Sequence, residues 1–264
     1  MKKVRIGVIS DLHLFRKSAK LERAFSKLQE AEILLTVGDI ADRGDGKQYK
    51  IFLKTLSEAL PEIPVYSVSG NHDNPARNDT VYRRFEERLN GEYPAIVDAC
   101  GAFCRRIHGQ IEIIGLNPTY HQKQFFFPDR GRQIDFLETR LRESPCRYRI
   151  VMCHPPLIAH NPQRSVGAST YITPEQDARL QGVIDGSTHT LFLSGHTHAL
   201  PSVESDASRG NLYINVGSLC PTSAGRGRGR EQEGNVILLE FGAENVSVTV
   251  RGIDGEGAFV SEFG

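Results

Sequence analysis

Net charge is the first thing this chain lacks. Its 32 lysines and arginines are matched by 32 aspartates and glutamates, so no global field draws it to nucleic acid or to an anionic membrane surface. A long apolar run is also missing, since no stretch approaches the roughly 20 residues a membrane-spanning helix needs. The start, Met1-Lys2-Lys3, passes directly into Val4-Arg5-Ile6-Gly7-Val8-Ile9, too short for the apolar core of a signal peptide. Paired CxxC spacing is absent, and the five cysteines, at 100, 104, 146, 153 and 220, are an odd number. They read as reduced thiols, with Cys100 and Cys104 a free pair and not a disulfide. No repeat or linker interrupts the 264 residues, so the expectation is one α/β domain over 1–264. These absences point to a cytoplasmic protein with no membrane partner.

What is present is a strand–helix rhythm. Strands are predicted at 4–10, 33–37 and 65–68, with helices at 20–30 and 49–60 from apolar residues at helical spacing. Further along, 103–107 and 110–116 read as a hairpin, 149–153 and 190–193 as buried strands, and 132–142 and 175–184 as helices. Residues 212–216, 235–241 and 246–251 are expected to close the fold as antiparallel strands. A βαβ unit takes about thirty residues, and Asp11, Asp39 and Asn71 recur at close to that interval. Each therefore falls just beyond a strand's C-terminal end, the edge at which open α/β sheets bind ligands.

Five clusters carry the chemistry: Asp11-Leu12-His13, Gly38-Asp39, Gly70-Asn71-His72-Asp73, His154, and Gly195-His196-Thr197-His198. The set offers imidazole, carboxylate and amide groups without a thiolate. Such donors suit divalent Mn, Fe, Co or Zn in a catalytic site, not a structural zinc. An Asp-x-His pair alone is weak, because alternate residues at a strand end point apart unless the chain bends. Five clusters in order, each at a predicted strand end, make a strong signal. Gly38, Gly70 and Gly195 are expected to let the backbone approach the ions.

In these residues the chain resembles the calcineurin-like metallophosphoesterases, most closely the small bacterial cyclic nucleotide phosphodiesterase and glycerophosphodiesterase branch. The likeness spans residues 11–198. It implies a two-sheet β-sandwich flanked by helices, four layers in the order α/β/β/α, and two divalent ions. Asp11, His13 and His198 would hold the first ion, Asp39 would bridge, and Asn71, His154 and His196 would complete the second. The implied reaction is in-line attack on a small phosphodiester by a hydroxide held between the ions, with His72 as general acid. Gly38-Asp39-Ile40-Ala41-Asp42-Arg43-Gly44 is similar to the serine/threonine phosphatase motif, which makes Asp42 a candidate to orient His72 and Arg43 a candidate substrate contact beside Asn71.

Two alternatives stand beside the diesterase. Asp42-Arg43 favours a phosphomonoesterase or protein phosphatase. A catalytically inactive scaffold is disfavoured, because none of the candidate ligands is missing. His108, His121, His160 and His189 fit no position of the signature. The segment 225–230, alternating glycine and arginine, reads as a solvated connection and not as a nucleic-acid contact. The partner expected is a small phosphorylated substrate, and self-association into a homo-oligomer is left open.

Overall fold

The computed structural model of the protein describes residues 3–15, 19–74, 80–162, 171–219, 234–254 and 258–263. The glycine–arginine segment 225–230 and Cys220 lie outside these residues. Chain order begins β1 (Val4–Ile9), α1 (Ala19–Ser26), β2 (Ile33–Val37), α2 (Gly46–Ala59), β3 (Val65–Val68) and α3 (Thr80–Glu92). It continues through β4 (Ile96–Val97), β5 (Phe103–Ile107), β6 (Ile111–Leu116), the hairpin β7 (Thr119–His121) and β8 (Gln124–Phe126), α4 (Pro128–Glu143) and β9 (Tyr148–Cys153). It ends with α5 (Pro174–Asp185), β10 (Thr190–Ser194), β11 (Ser202–Asp206), β12 (Asn211–Asn215), β13 (Asn235–Phe241), β14 (Val246–Gly252) and β15 (Ala258–Phe263).

Two sheets hold the core. One has the order β15-β14-β13-β1-β2-β3 and the other β11-β12-β10-β9-β6-β5-β4. Because side chains alternate along a strand, Val4, Ile6 and Val8 of β1 and Ile33, Leu35 and Val37 of β2 all face the second sheet. There they meet Ile113, Ile150, Met152, Leu191 and Leu193. The opposite faces carry helices. Leu34 and Ile9 pack beneath Phe25, Phe52 and Phe85 of α1, α2 and α3, while Ile114, Val151 and Phe192 pack beneath Ile134 and Leu137 of α4 and Leu180 and Ile184 of α5. The result is the α/β/β/α sandwich that the resemblance implies. Burying each large apolar side chain is worth about 1.5–3 kcal/mol, so the layers form a stiff base for whatever strain the loops carry.

Several expectations need correction. Of the strands expected to close the fold as antiparallel ones, β12 is antiparallel to β11 but runs parallel to β10. The polar edge strand β11, Ser-Val-Glu-Ser-Asp, lacks the apolar pattern that would have revealed it, and its hairpin with β12 reverses the chain once more. Helix α1 stops at Ser26, because bonds from Leu28 N–H to Phe25 O and from Ala31 N–H to Leu28 O tighten its last turn. Helix α2 starts earlier than its apolar stripe, at a capping box in which the Asp45 carboxylate accepts from Lys47 N–H and Gln48 Oε1 accepts from Asp45 N–H. Helix α3 has a Tyr82, Phe85, Leu89 stripe that its many charges obscure. Cys100, Cys104, Cys146 and Cys153 are free thiols, and no helix among the described residues is long and apolar enough to cross a membrane.

Candidate metal centre

Five loops, each leaving the C-terminal end of a strand, meet at one end of the sandwich. The parallel strands β1, β2 and β3 of the six-stranded sheet lead into Asp11 and His13, Asp39, and Asn71 and His72. The parallel strands β9 and β10 of the seven-stranded sheet lead into His154 and into His196 and His198. Loop pairing continues past the strands: Asp11 N–H donates to Gly38 O (3.1 Å), His13 N–H to Asp39 O (3.0 Å) and Gly195 N–H to His154 O (2.9 Å). Hydrogen bonds also cross between the sheets, among them His196 N–H to the Asp11 carboxylate at 3.0 Å and Ser218 Oγ–H to Asp11 O at 3.1 Å.

The bend that Asp11 and His13 require is present in the backbone. Asp11 has φ +52°, His13 +43°, Asp39 +53°, His196 +68° and His198 +50°. A left-handed residue other than glycine costs about 1–3 kcal/mol, least for residues such as Asp and His. Strain of this kind on five candidate ligands is a reason to look for function here. Close approach is just as marked at the glycines. A Cβ on Gly70 would lie 2.0 Å from Asp39 Oδ1, and one on Gly195 would lie 2.0 Å from Ser10 Oγ and 2.5 Å from Asp11 Oδ2. These glycines admit the carboxylates themselves; the sequence alone suggested that they make room for ions.

Ligand-type atoms gather in overlapping groups. Those of Asp11, His13 and His198, of Asp39, His154 and His196, and of His13, Asp39 and His72 all lie within 4.8 Å of one another in each group. His13 Nε2 and His198 Nε2 are 2.9 Å apart, and His198 Nε2 is 3.2 Å from Asp11 Oδ1. Asp39 Oδ2 stands between the groups, 3.6 Å from His13 Nε2 and 3.3 Å from His154 Nε2. Its other oxygen is occupied, since Oδ1 accepts from His72 N–H at 2.8 Å. His154 Nδ1 donates to Val37 O at 2.7 Å, which leaves Nε2 as the lone-pair nitrogen of the neutral ring. That nitrogen and Asn71 Oδ1 are both buried without a hydrogen-bond partner. A buried acceptor facing another, as His154 Nε2 faces Asp39 Oδ2, is costly unless a cation or proton lies between them. The donor set therefore fits divalent ions.

Protonation in the protein alone tells the same story. Burial would lower the His154 pKa, yet the facing Asp39 carboxylate outweighs it and pushes the ring up to about 9. His196, buried and repelled by His154, is pushed down to about 4. Asp11 is held well below the usual carboxylate range: its burial is opposed by bonds to His13 and His198. With protons as the only cations available, positive charge is thus drawn to His154 beside Asp39 and kept off His196.

The remaining candidates flank it. His72 Nδ1 lies 2.8 Å from the main-chain carbonyl of Asp42 and 3.9 Å from its carboxylate. The carbonyl, not the side chain of Asp42, orients the ring, and it leaves Nε2 for chemistry. The Asp42 carboxylate is nearer Arg43 Nε (3.4 Å) and His13 Nδ1 (3.7 Å). The Arg43 side chain is 75% exposed, with its guanidinium over Phe15 at 5.3 Å. His160 stacks on Tyr213 with centroids 3.6 Å apart and pairs with Glu204 at 2.8 Å.

Sequence reasoning passed over several residues that support the ligands. Ser10 Oγ–H donates to Asp11 Oδ2 at 2.6 Å. Asn215 Nδ2–H donates to Thr197 Oγ1 at 3.2 Å. Phe125 of the β7–β8 hairpin sets its ring 5.1 Å from His196 and 6.0 Å from His154. Tyr120 packs on Phe125 at 4.8 Å, and its phenol is raised first by burial and then by the field of Asp39. Only Ser10, next to Asp11, carried a local signal; the others come from segments with no motif.

Comparison with known proteins agrees with this geometry. The family model described as calcineurin-like phosphoesterase matches residues 4–200. The chain is 27% identical over 172 residues to a probable glycerophosphodiester phosphodiesterase of Arcobacter nitrofigilis, covering 63% of this chain and 56% of that protein's length. It is 28% identical over 211 residues to a probable cyclic nucleotide phosphodiesterase of Synechococcus sp., covering 72% of this chain and 75% of the other. Among solved structures, TT1561 of Thermus thermophilus superposes with a TM-score of 0.57 at 15% identity, over 98% of both chains. GAP50 of Plasmodium gives 0.61 at 10% identity, over 99% of this chain and 88% of that one; these two likenesses concern the fold. With the family model spanning the site from β1 to His198, the chain belongs to the calcineurin-like phosphoesterase family.

Proposed function

We propose that the protein is a dinuclear metal-dependent phosphodiesterase acting on small diesters of the cyclic nucleotide or glycerophosphodiester type. The observation that carries the metal reading is His154 Nε2 facing Asp39 Oδ2 at 3.3 Å, with that nitrogen, like Asn71 Oδ1, buried and without a hydrogen-bond partner. Asp11, His13 and His198 would hold one ion and Asn71, His154 and His196 the other. Asp39 suits the bridge, because one of its oxygens faces imidazoles of both groups and its charge offsets the repulsion between two cations. When bound, such a pair polarises a phosphoryl group and supplies a hydroxide nucleophile.

The chain's own residues do the rest. Two carboxylates against two divalent ions leave the site positive, which favours an anionic ester. His72 keeps Nδ1–H on the Asp42 carbonyl, so its Nε2 donates a proton to the departing oxygen when the ring is an imidazolium. Asp42 serves through that carbonyl. Arg43 stands at the exposed rim, where a guanidinium reaches a terminal phosphoryl oxygen more usefully than the single charge of a diester. The preference for diesters draws support from the names of the two relatives. The phosphomonoesterase reading is kept for Arg43 alone.

The test is a metal count and a substrate panel. Protein loaded with Mn should take up two ions, and kcat/KM should favour bis-p-nitrophenyl phosphate, cyclic nucleotides or glycerophosphodiesters over p-nitrophenyl phosphate. One ion at saturation would sink the dinuclear reading. Negligible turnover of every diester with brisk monoester hydrolysis would reverse the substrate ranking.

A further inference from the structure

Asp73 ends the Gly70-Asn71-His72-Asp73 cluster, yet its carboxylate has no capacity left for an ion. It is fully buried, and its oxygens accept from Ala41 N–H at 2.9 Å, Gly70 N–H at 3.0 Å, Ile40 N–H at 3.3 Å and the Tyr49 hydroxyl at 2.8 Å. Residues 40 and 41 follow Asp39, and residue 70 precedes Asn71. The reverse bond also exists, because His72 N–H donates to Asp39 Oδ1. Two carboxylates thus exchange main-chain donors across two loops, each pinning the loop that carries the other. Tyr49 is the side chain through which this clasp reaches the helix layer. It sits on the buried face of α2 and stacks on Phe85 of α3 with centroids 4.7 Å apart. Tyr82 of α3 extends the tie: its hydroxyl is 3.0 Å from Ser67 Oγ on β3, which accepts from Thr36 Oγ1–H on β2 at 2.7 Å.

We infer that Asp73 and Tyr49 are positioning residues that set the separation of Asp39 from Asn71 and His72. The inference rests on the dinuclear reading above and deepens it. In that reading Asp39 bridges both ions and Asn71 holds only the second, so a loosened clasp weakens the second ion most and the first, which keeps Asp11, His13 and His198, less. It also moves His72 relative to the leaving oxygen, which matters only where the leaving group needs a proton. Removal of hydrogen-bonding groups behind metal ligands costs roughly 10–100-fold in affinity or activity.

The experiment compares Tyr49→Phe and Asp73→Asn with wild type. Tyr49→Phe keeps the ring and its stack and deletes one donor. Asp73→Asn keeps the shape and turns an amide N–H2 toward main-chain N–H groups. Manganese titration should show one of the two ions binding about tenfold or more less tightly, with a smaller loss at the other. Turnover of an alkyl phosphodiester should fall through kcat, with a smaller loss on bis-p-nitrophenyl phosphate, and the exchange-coupled spectrum of the Mn pair should change. Variants that differ only in melting temperature, with both affinities and both kcat values as in wild type, would reduce the clasp to a structural role and overturn the inference. Should Asp73→Asn fail to fold, Tyr49→Phe alone decides. Wild type binding one ion would refute the dinuclear reading itself, whereas wild type binding two and unaltered variants would refute the clasp alone.

Discussion

Gly70→Ala tests the site's construction more sharply than removal of a ligand. The added methyl would fall 2.0 Å from Asp39 Oδ1, 2.6 Å from its Cγ and 2.6 Å from its main-chain nitrogen. Ordinary contact begins near 3.5 Å, so one side must yield by roughly 1.5 Å. Neither yields easily: Asp39 is buried with a left-handed backbone, and Gly70 N–H is bonded to Asp73. Overpacking of this kind costs about 1–3 kcal/mol, which for a protein of this size lowers the melting temperature by roughly 2–12 °C. The functional loss should be larger than that stability cost suggests, because about 1 Å of misplacement can cost on the order of 100-fold in rate. The assay is paired: thermal melting of the metal-free protein, then metal content and kcat on bis-p-nitrophenyl phosphate. Gly182→Ala is the control, since a Cβ there, in the last turn of α5, meets nothing within 4 Å; it should stabilise the helix by up to about 1 kcal/mol and leave turnover alone. Gly70→Ala with two ions and wild-type kcat would show that Asp39 has freedom the packing denies it, and would refute the reasoning.

Three further outcomes follow from the geometry. His72→Ala should keep both ions and lose roughly 10²–10⁴-fold on an alkyl leaving group but much less on nitrophenolate; an equal loss on both substrates removes it as the acid. Asp39→Asn should disturb occupancy of both positions, and an elemental analysis that still finds two ions per chain would deny it the bridge. Arg43→Ala should reduce kcat/KM for monoesters more than for diesters, and a larger loss on diesters would place the guanidinium on the diester phosphoryl instead.

How much of this was legible depends on what each residue type must do alone. The short apolar runs of β1 and β2, buried on both faces, and the helical stripe of α2 are set by local burial, so pattern finds them. Strand β11 exists because β12 offers it an edge, and nothing in Ser-Val-Glu-Ser-Asp says so. The ligand clusters were readable because imidazole, carboxylate and amide groups recur at strand ends, three of the five times just after a glycine. The orienting group for His72 was not, since a main-chain carbonyl leaves no mark on the residue type at position 42. Asp73 was visible as part of a cluster, but only its four donors reveal that its oxygens are already taken.

The sheet of origin of each ligand has a mechanical consequence. Asp11, His13, Asp39 and Asn71 come from one sheet and His154, His196 and His198 from the other, and in the proposed arrangement each ion takes ligands from both. Loading the site would then rivet the two halves of the sandwich together at one end, where the unloaded protein relies on a few hydrogen bonds such as His196 N–H to Asp11. Ion concentrations about 100 times the dissociation constant add about 2.7 kcal/mol per site by mass action. Shear between the sheets is the motion this rivet resists, so chelation should loosen the seam at the strands' C-terminal ends before it touches either helix layer.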